Sequence, residues 1–276
     1  MEYFTIAAGV SVHVWDTKDE KSPAGPCLML LHGYLETMYI YTELVEALKA
    51  HYRVIVIDMP GHGLTDSAPA DASGKRVNTL AFSASVVAGV LDRCGVDKAI
   101  VAGHSMGGYV TLKFLQDYPQ RVERAILLHS NPWADAPEKA ADRAREEAFI
   151  AEGKLMALAS ASIPRMYNED NLDACMEKIR ETVELCETHD PEGIIASIEG
   201  LRTRPDLQSV MSQPPVPLLL IHGDHDNFLP LARVEEMKKL FPKVQYQLIP
   251  ETGHNAFIER PDATLAALTQ WAAPQS

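Results

Sequence analysis

Cysteine is scarce in this chain, with four among 276 residues and no CxxC spacing. That excludes a disulfide framework and a thiolate metal centre, and leaves Cys27, Cys94, Cys175 and Cys186 as small buried hydrophobes. Positive charge is also short, because 25 Lys and Arg face 38 Asp and Glu, for a formal net charge of -13. No Lys/Arg run interrupts the acidity, which excludes nucleic acid as a partner. Long apolar runs are missing as well. None approaches the roughly 18 residues of a membrane span, and the opening MEYFTIAAGV has no positive region ahead of its short apolar stretch. The expectation is a cytoplasmic protein with no membrane partner. Neither internal repeats nor low-complexity segments are present.

What is there is an alternation. Apolar runs rich in β-branched residues (YFTIAA, VSVHVW, CLMLLHG, YRVIVID, KAIVAGH, ERAILLHS, VPLLLIHG, VQYQLIP) give eight strand candidates. From the third onward most are separated by helix-like stretches, among them TLAFSASVVAGVLDRC and LARVEEMKKLF, and PDATLAALTQWA closes the pattern. Helices between continuously apolar strands predict crossover connections, hence an α/β fold with a mostly parallel eight-stranded sheet covered on both faces. The first two strands are expected to form an antiparallel edge. One gap is too long for a simple crossover: after LLHSNP come roughly 80 residues of helical period, ending at the proline-rich SQPPVP. The chain therefore divides into a core of residues 1–132 and 210–276 and a helical cap insertion at 133–209. ALASASIP, Met166 and Tyr167 within it are candidates to line a pocket.

The chemistry centres on GHSMGG. Gly103-His104-Ser105-Met106-Gly107 follows a strand and opens a helix, and a sharp turn there forces its central residue into a strained conformation that bulky neighbours would block. Such a turn lifts Ser105 above the sheet, where the helix N-terminus favours negative charge. A serine needs a base, and the base an orienting carboxylate. His254, in ETGHNAFIERP, follows the last strand and so belongs at the same sheet edge as Ser105. His129, His222 and His225 also follow strands and are given structural or substrate-lining roles, while His32 and His62 are assigned to holding loop backbone. For the acid, GDHDNFLP offers Asp224 and Asp226, and chain order allows either.

Together HGYLET, DMPGHGLTD, GHSMGG and GDHDNFLP with GHNAFIERP resemble the motif set of the α/β-hydrolase fold family, in its capped, lipase/esterase-like branch. The resemblance runs from the first strands to the last helix. It implies that the acid is Asp226, three residues after Gly223, with Asp224 as the fallback. It also implies an oxyanion hole made by the backbone N–H groups of Tyr34 and Met106, with Leu35 replacing Tyr34 if the loop is shifted by one. Relatives that carry Asp at the elbow, the haloalkane dehalogenases and epoxide hydrolases, are set aside because this chain has Ser105. The implied activity is hydrolysis of a small carboxylic ester through an acyl-enzyme on Ser105, with Asp226 and His254 completing the triad. The same triad also serves carbon-carbon bond hydrolases, thioesterases, perhydrolases and ligand-binding receptors of this fold. No cofactor or metal is expected, and the chain is expected to be a monomer or homodimer.

Overall fold

The computed structural model describes residues 1–18 and 26–272. All eight apolar runs are strands of one sheet: β1 (Glu2–Ala7), β2 (Val10–Asp16), β3 (Cys27–Leu31), β4 (Arg53–Ile57), β5 (Ala99–His104), β6 (Val122–Leu128), β7 (Leu218–Gly223) and β8 (Gln245–Ile249). Their order is β1-β2-β4-β3-β5-β6-β7-β8. β2 pairs antiparallel with both β1 and β4, and every later pairing is parallel, so β2 alone runs against the rest. Burial follows position. Every residue of β3, β5 and β7 is buried, whereas β1 at one edge alternates and β8 at the other is largely exposed. This is why the central strands are continuously apolar and the edges are not.

Helices cover both faces: α1 (Thr42–Leu48), α2 (Leu80–Arg93), α3 (Met106–Asp117), α4 (Pro137–Ala151), α5 (Leu155–Ser162), α6 (Leu172–Leu185), α7 (Pro191–Arg202), α8 (Gln208–Ser212), α9 (Leu231–Leu240), α10 (Ala256–Glu259) and α11 (Pro261–Ala272). Successive residues of one strand serve different cores. Met29 and Leu31 pack with α2 and α3 through Val87 and Phe114, while Leu28 and Leu30 pack with α1 and α11 through Val45 and Trp271. Thr79 caps α2, its hydroxyl accepting from Phe82 N at 3.1 Å, a contact worth about 1 kcal/mol. Among the described residues no helix is long and apolar enough to cross a membrane.

Five helices, α4 to α8, lie between β6 and β7. They build a third apolar cluster around Ile150, Ile163, Tyr167, Ile179 and Ile194, into which Leu35 from the loop after β3 also inserts. The Asp58 loop is braced from three directions: its carboxylate accepts from Met38 N (2.8 Å) and Leu64 N (3.1 Å) and faces His13 Nδ1 (2.9 Å).

Candidate active site

Parallel strands put their carboxyl ends along one edge, and the loops after β3, β5, β6, β7 and β8 meet there. Ser105 occupies the turn between β5 and α3 with φ 49° and ψ -111°, a left-handed conformation that costs a non-glycine residue about 1–3 kcal/mol. Backbone bonds hold it in place: Ser105 N donates to Leu128 O at 2.9 Å, and Ser130 Oγ donates to Ser105 O at 2.8 Å. The flanking glycines are steric requirements. A Cβ at Gly103 would stand 2.1 Å from Gly107 O, and one at Gly107 2.2 Å from Leu31 O.

His254 lies between β8 and α10, buried, with Nδ1 at 2.8 Å from Asp226 Oδ2. Asp226 is buried in the loop between β7 and α9, and four donors surround its carboxylate. Oδ1 accepts from Phe228 N (2.7 Å) and Leu229 N (2.9 Å), while Oδ2 faces His254 Nδ1 and also His129 Nδ1 at 2.9 Å. Burial by itself opposes ionisation of Asp226, but His254 and His129 outweigh it and hold the carboxyl well below the usual range. His129 behaves oppositely: burial pushes it down to about 4 against the pull of Asp226. It is therefore neutral near pH 7, donating from Nδ1, with Nε2 buried and without a hydrogen-bond partner.

Asp224 is elsewhere, bonded to the exposed His225 at 2.8 Å. Spacing in the sequence left the two aspartates open, and in the fold it is Asp226 that meets His254. His222 and His225 do not reach the cavity beside Ser105, whereas His129 does. His32 holds loop backbone, its Nε2 accepting from Met59 N at 2.8 Å. The group of His129, Asp226 and His254 has the residue types of a metal site. Yet both imidazole nitrogens that face the carboxylate donate hydrogen to it, so the arrangement suits a charge-steadied base better than a cation.

Two residues that sequence reasoning passed over complete the frame. Glu36, fully buried, accepts from Gly33 N at 2.6 Å and faces His104 Nδ1 at 2.9 Å. The other nitrogen of His104 donates to His254 O at 2.9 Å. One chain of bonds thus ties the loop carrying Tyr34 to the elbow and to the backbone of His254. A glutamate in HGYLET, directly after the continuously apolar CLMLL, was the available signal. The helical insert holds His254 too, since its backbone N donates to Met166 O at 2.7 Å.

Ser105, Met106, Tyr34, Leu35, His129 and His254 line one cavity of about 290 Å³ under the insert, with Met166 and Ser162 among the lining from above. Tyr167, expected there from the sequence, is instead packed in the core of the insert, 1% exposed. Leu35, with φ 62°, turns its side chain into that same core.

Comparison with known proteins agrees with this architecture. A family model described as the alpha/beta hydrolase fold matches residues 26–148 and 156–261. A putative 2-succinyl-6-hydroxy-2,4-cyclohexadiene-1-carboxylate synthase of Bacillus subtilis is 30% identical, over 93% of each chain. A pimeloyl-[acyl-carrier protein] methyl ester esterase of Nitrosomonas europaea is 25% identical, over 91% of this chain and 96% of the relative. Among solved structures, a malate-bound thermophilic esterase from Thermogutta terrifontis superposes with a TM-score of 0.87 at 26% identity, covering 98% of this chain and 97% of that one. With the sheet order, the strained serine turn and a family match over most of its length, this chain belongs to the alpha/beta hydrolase fold family.

Proposed function

We propose that this ester-acting hydrolase cleaves a small carboxylic ester through an acyl-enzyme on Ser105. The observation that carries the reading is a single one: Asp226 holds His254 by Nδ1 at 2.8 Å, and His254 shares its cavity with a serine held at φ 49°. His254 takes the Ser105 proton through Nε2 as the hydroxyl oxygen attacks the ester carbonyl, and Asp226 stabilises the imidazolium that forms. The Tyr34 and Met106 backbone N–H groups receive the oxyanion, each contributing about 3 kcal/mol to lowering the barrier. The alcohol leaves with the proton from His254. Water, activated by the same imidazole, then attacks the acyl-enzyme and releases the acid. Segment 133–209 serves as the cap that encloses the substrate, and a cavity of about 290 Å³ suits a small ligand. Relatives named as esterases support the reading.

The test is steady-state turnover on p-nitrophenyl esters of increasing acyl length for the wild type and Ser105→Ala together. Sustained turnover that disappears in the variant is expected, with an optimum at short to medium chains. Equal hydrolysis by both proteins would refute the assignment of Ser105.

A further inference from the structure

The cavity beside Ser105 has a polar wall that acyl transfer does not use. In a chain of net charge -13, this wall carries four cations, Lys139, Arg143, Arg204 and Arg233, against two carboxylates, Asp135 and Glu146. Asp135, buried, is shared between Arg143 Nε (2.8 Å) and Arg204 Nη1 (2.5 Å), so one carboxylate serves two guanidiniums. Arg204 is otherwise committed, donating to Trp133 O at 3.0 Å and lying 4.2 Å over the Tyr109 ring. Arg233 stacks 3.8 Å over Trp133 and pairs with the exposed Glu236.

Arg143 is different. Its side chain is only 9% exposed, yet past Nε it makes no hydrogen bond among the described residues. Nη1 approaches Glu146 Oε2 no closer than 3.8 Å, too far for a hydrogen bond. The Glu146 oxygen is itself buried without a partner, as is the Tyr34 hydroxyl, whose ring centre is 6.0 Å from the Arg143 guanidinium carbon. Lys139 forms no ion pair among the described residues. A brace between α4 and the loop before it needs only Nε and Asp135. That brace leaves the terminal nitrogens of Arg143 open to the cavity, and it does not account for the Tyr34 hydroxyl, which is costly to bury unless something pairs with it.

We propose that the ester substrate carries a second, ionised carboxylate, which docks on the terminal nitrogens of Arg143 with Lys139 and the Tyr34 hydroxyl as further donors. A carboxylate fits because its two coplanar oxygens match the edge of a guanidinium. It is also small enough to share the cavity with the reacting ester. With Glu146 Oε2 at 3.8 Å from Nη1, the wall still carries four cations against two carboxylates. The substrate class is then a monoester of a dicarboxylic acid or an ester of a hydroxy acid. This rests on the acyl-transfer reading of Ser105.

The experiment compares kcat/KM for the mono-p-nitrophenyl ester of adipic acid with that for p-nitrophenyl hexanoate, and for 4-hexanoyloxybenzoate with phenyl hexanoate, each corrected for spontaneous hydrolysis. At least one charged ester should exceed its neutral partner by about tenfold to a hundredfold, the range of a charge-assisted hydrogen bond. Arg143→Met and Lys139→Met should each lower that ratio. Lys139 has no buried pair to lose, so its variant cannot be excused by misfolding. Neutral esters matching or exceeding both charged ones, or a ratio unchanged in both variants, would overturn the proposal. Calorimetric titration of Ser105→Ala with adipate and with 4-hydroxybenzoate separates the two readings. If no ester is turned over, saturable binding that weakens with Lys139→Met still supports the anion site while the esterase assignment fails, and absence of binding overturns the site.

Discussion

Replacing Glu36 by Gln removes one charge and almost no volume from the centre of the molecule. Glu36 is 1% exposed and His104 fully buried. His104 stands between a carboxylate at Nδ1 and a carbonyl at Nε2, both acceptors, so both nitrogens carry hydrogen and the ring is an imidazolium. The shifts agree. Burial by itself would raise Glu36 and lower His104, but their mutual attraction wins in each case, leaving Glu36 lowered and His104 raised. In the variant the imidazolium has no counter-charge and sheds its proton, losing a charge-assisted bond worth about 2 kcal/mol; a stranded charge would raise the cost to about 4 kcal/mol. For 276 residues the unfolding entropy is about 0.6 kcal/mol/K, so the melting temperature should fall by about 3–7 °C.

The pH dependence of that gap has a fixed sign. His104, raised in the fold, contributes fully below the unfolded imidazole value of about 6.5 and loses its contribution as pH rises through the folded value. Glu36, lowered in the fold, contributes above the unfolded carboxyl value of about 4.3 and loses it as pH falls through the folded value. Differential scanning calorimetry of both proteins should therefore find the widest gap between about pH 4.3 and 6.5, narrowing on either side. A gap below about 1 °C at pH 5.5, or one that keeps widening to pH 9, would refute the ion pair.

Asp226→Asn should lower kcat on an accepted ester by about a thousandfold or more, whereas Asp224→Asn, whose carboxylate meets exposed His225, should cost less than about tenfold. The reverse order in stopped-assay kinetics would move the acid to Asp224. Ser105→Gly should abolish turnover and yet raise the melting temperature by about 2 °C, because glycine adopts φ 49° without strain and both backbone bonds of residue 105 survive. A lower melting temperature would show that the turn is not strained at this residue.

The sheet was legible in the sequence because parallel strands buried on both faces must be continuously apolar, as CLMLL and LLLIHG are. The serine turn was legible for a local reason too, since glycine is required at 103 and 107 by contacts with nearby backbone. Partnerships across the chain were not. Glu36 meets His104 across 68 positions and His104 meets His254 across 150, and no local spacing encodes either. His129 was assigned a passive role because its position follows from strand order: β6 lies between β5 and β7, which sets His129 between Ser105 and Asp226. The helical period of residues 133–209 and the proline-rich SQPPVP that follows mark the insert only approximately, since α8 at Gln208–Ser212 runs across the expected junction. The charged wall stayed hidden for a similar reason. Lys139, Arg143 and Glu146 look like the solvated face of an ordinary helix until the cavity beneath α4 is known.

The insert does more than roof the cavity, and this bears on how its substitutions should be interpreted. Met166 O accepts the backbone N of His254, and buried Glu259 accepts from Gly253 N at 2.8 Å and from Asn168 N at 2.9 Å. A Cβ at Gly253 would stand 2.5 Å from Asn168 N, so the base loop and the insert are in backbone contact. The backbone that positions the proposed base is thus shared with the segment that supplies much of the pocket wall. A catalytic base misplaced by 1 Å can cost a hundredfold in rate. Changes near residues 166–171 should therefore appear in kcat, whereas changes at Lys139 and Arg143, on a helix with no bond to the His254 loop among the described residues, should appear chiefly in substrate preference.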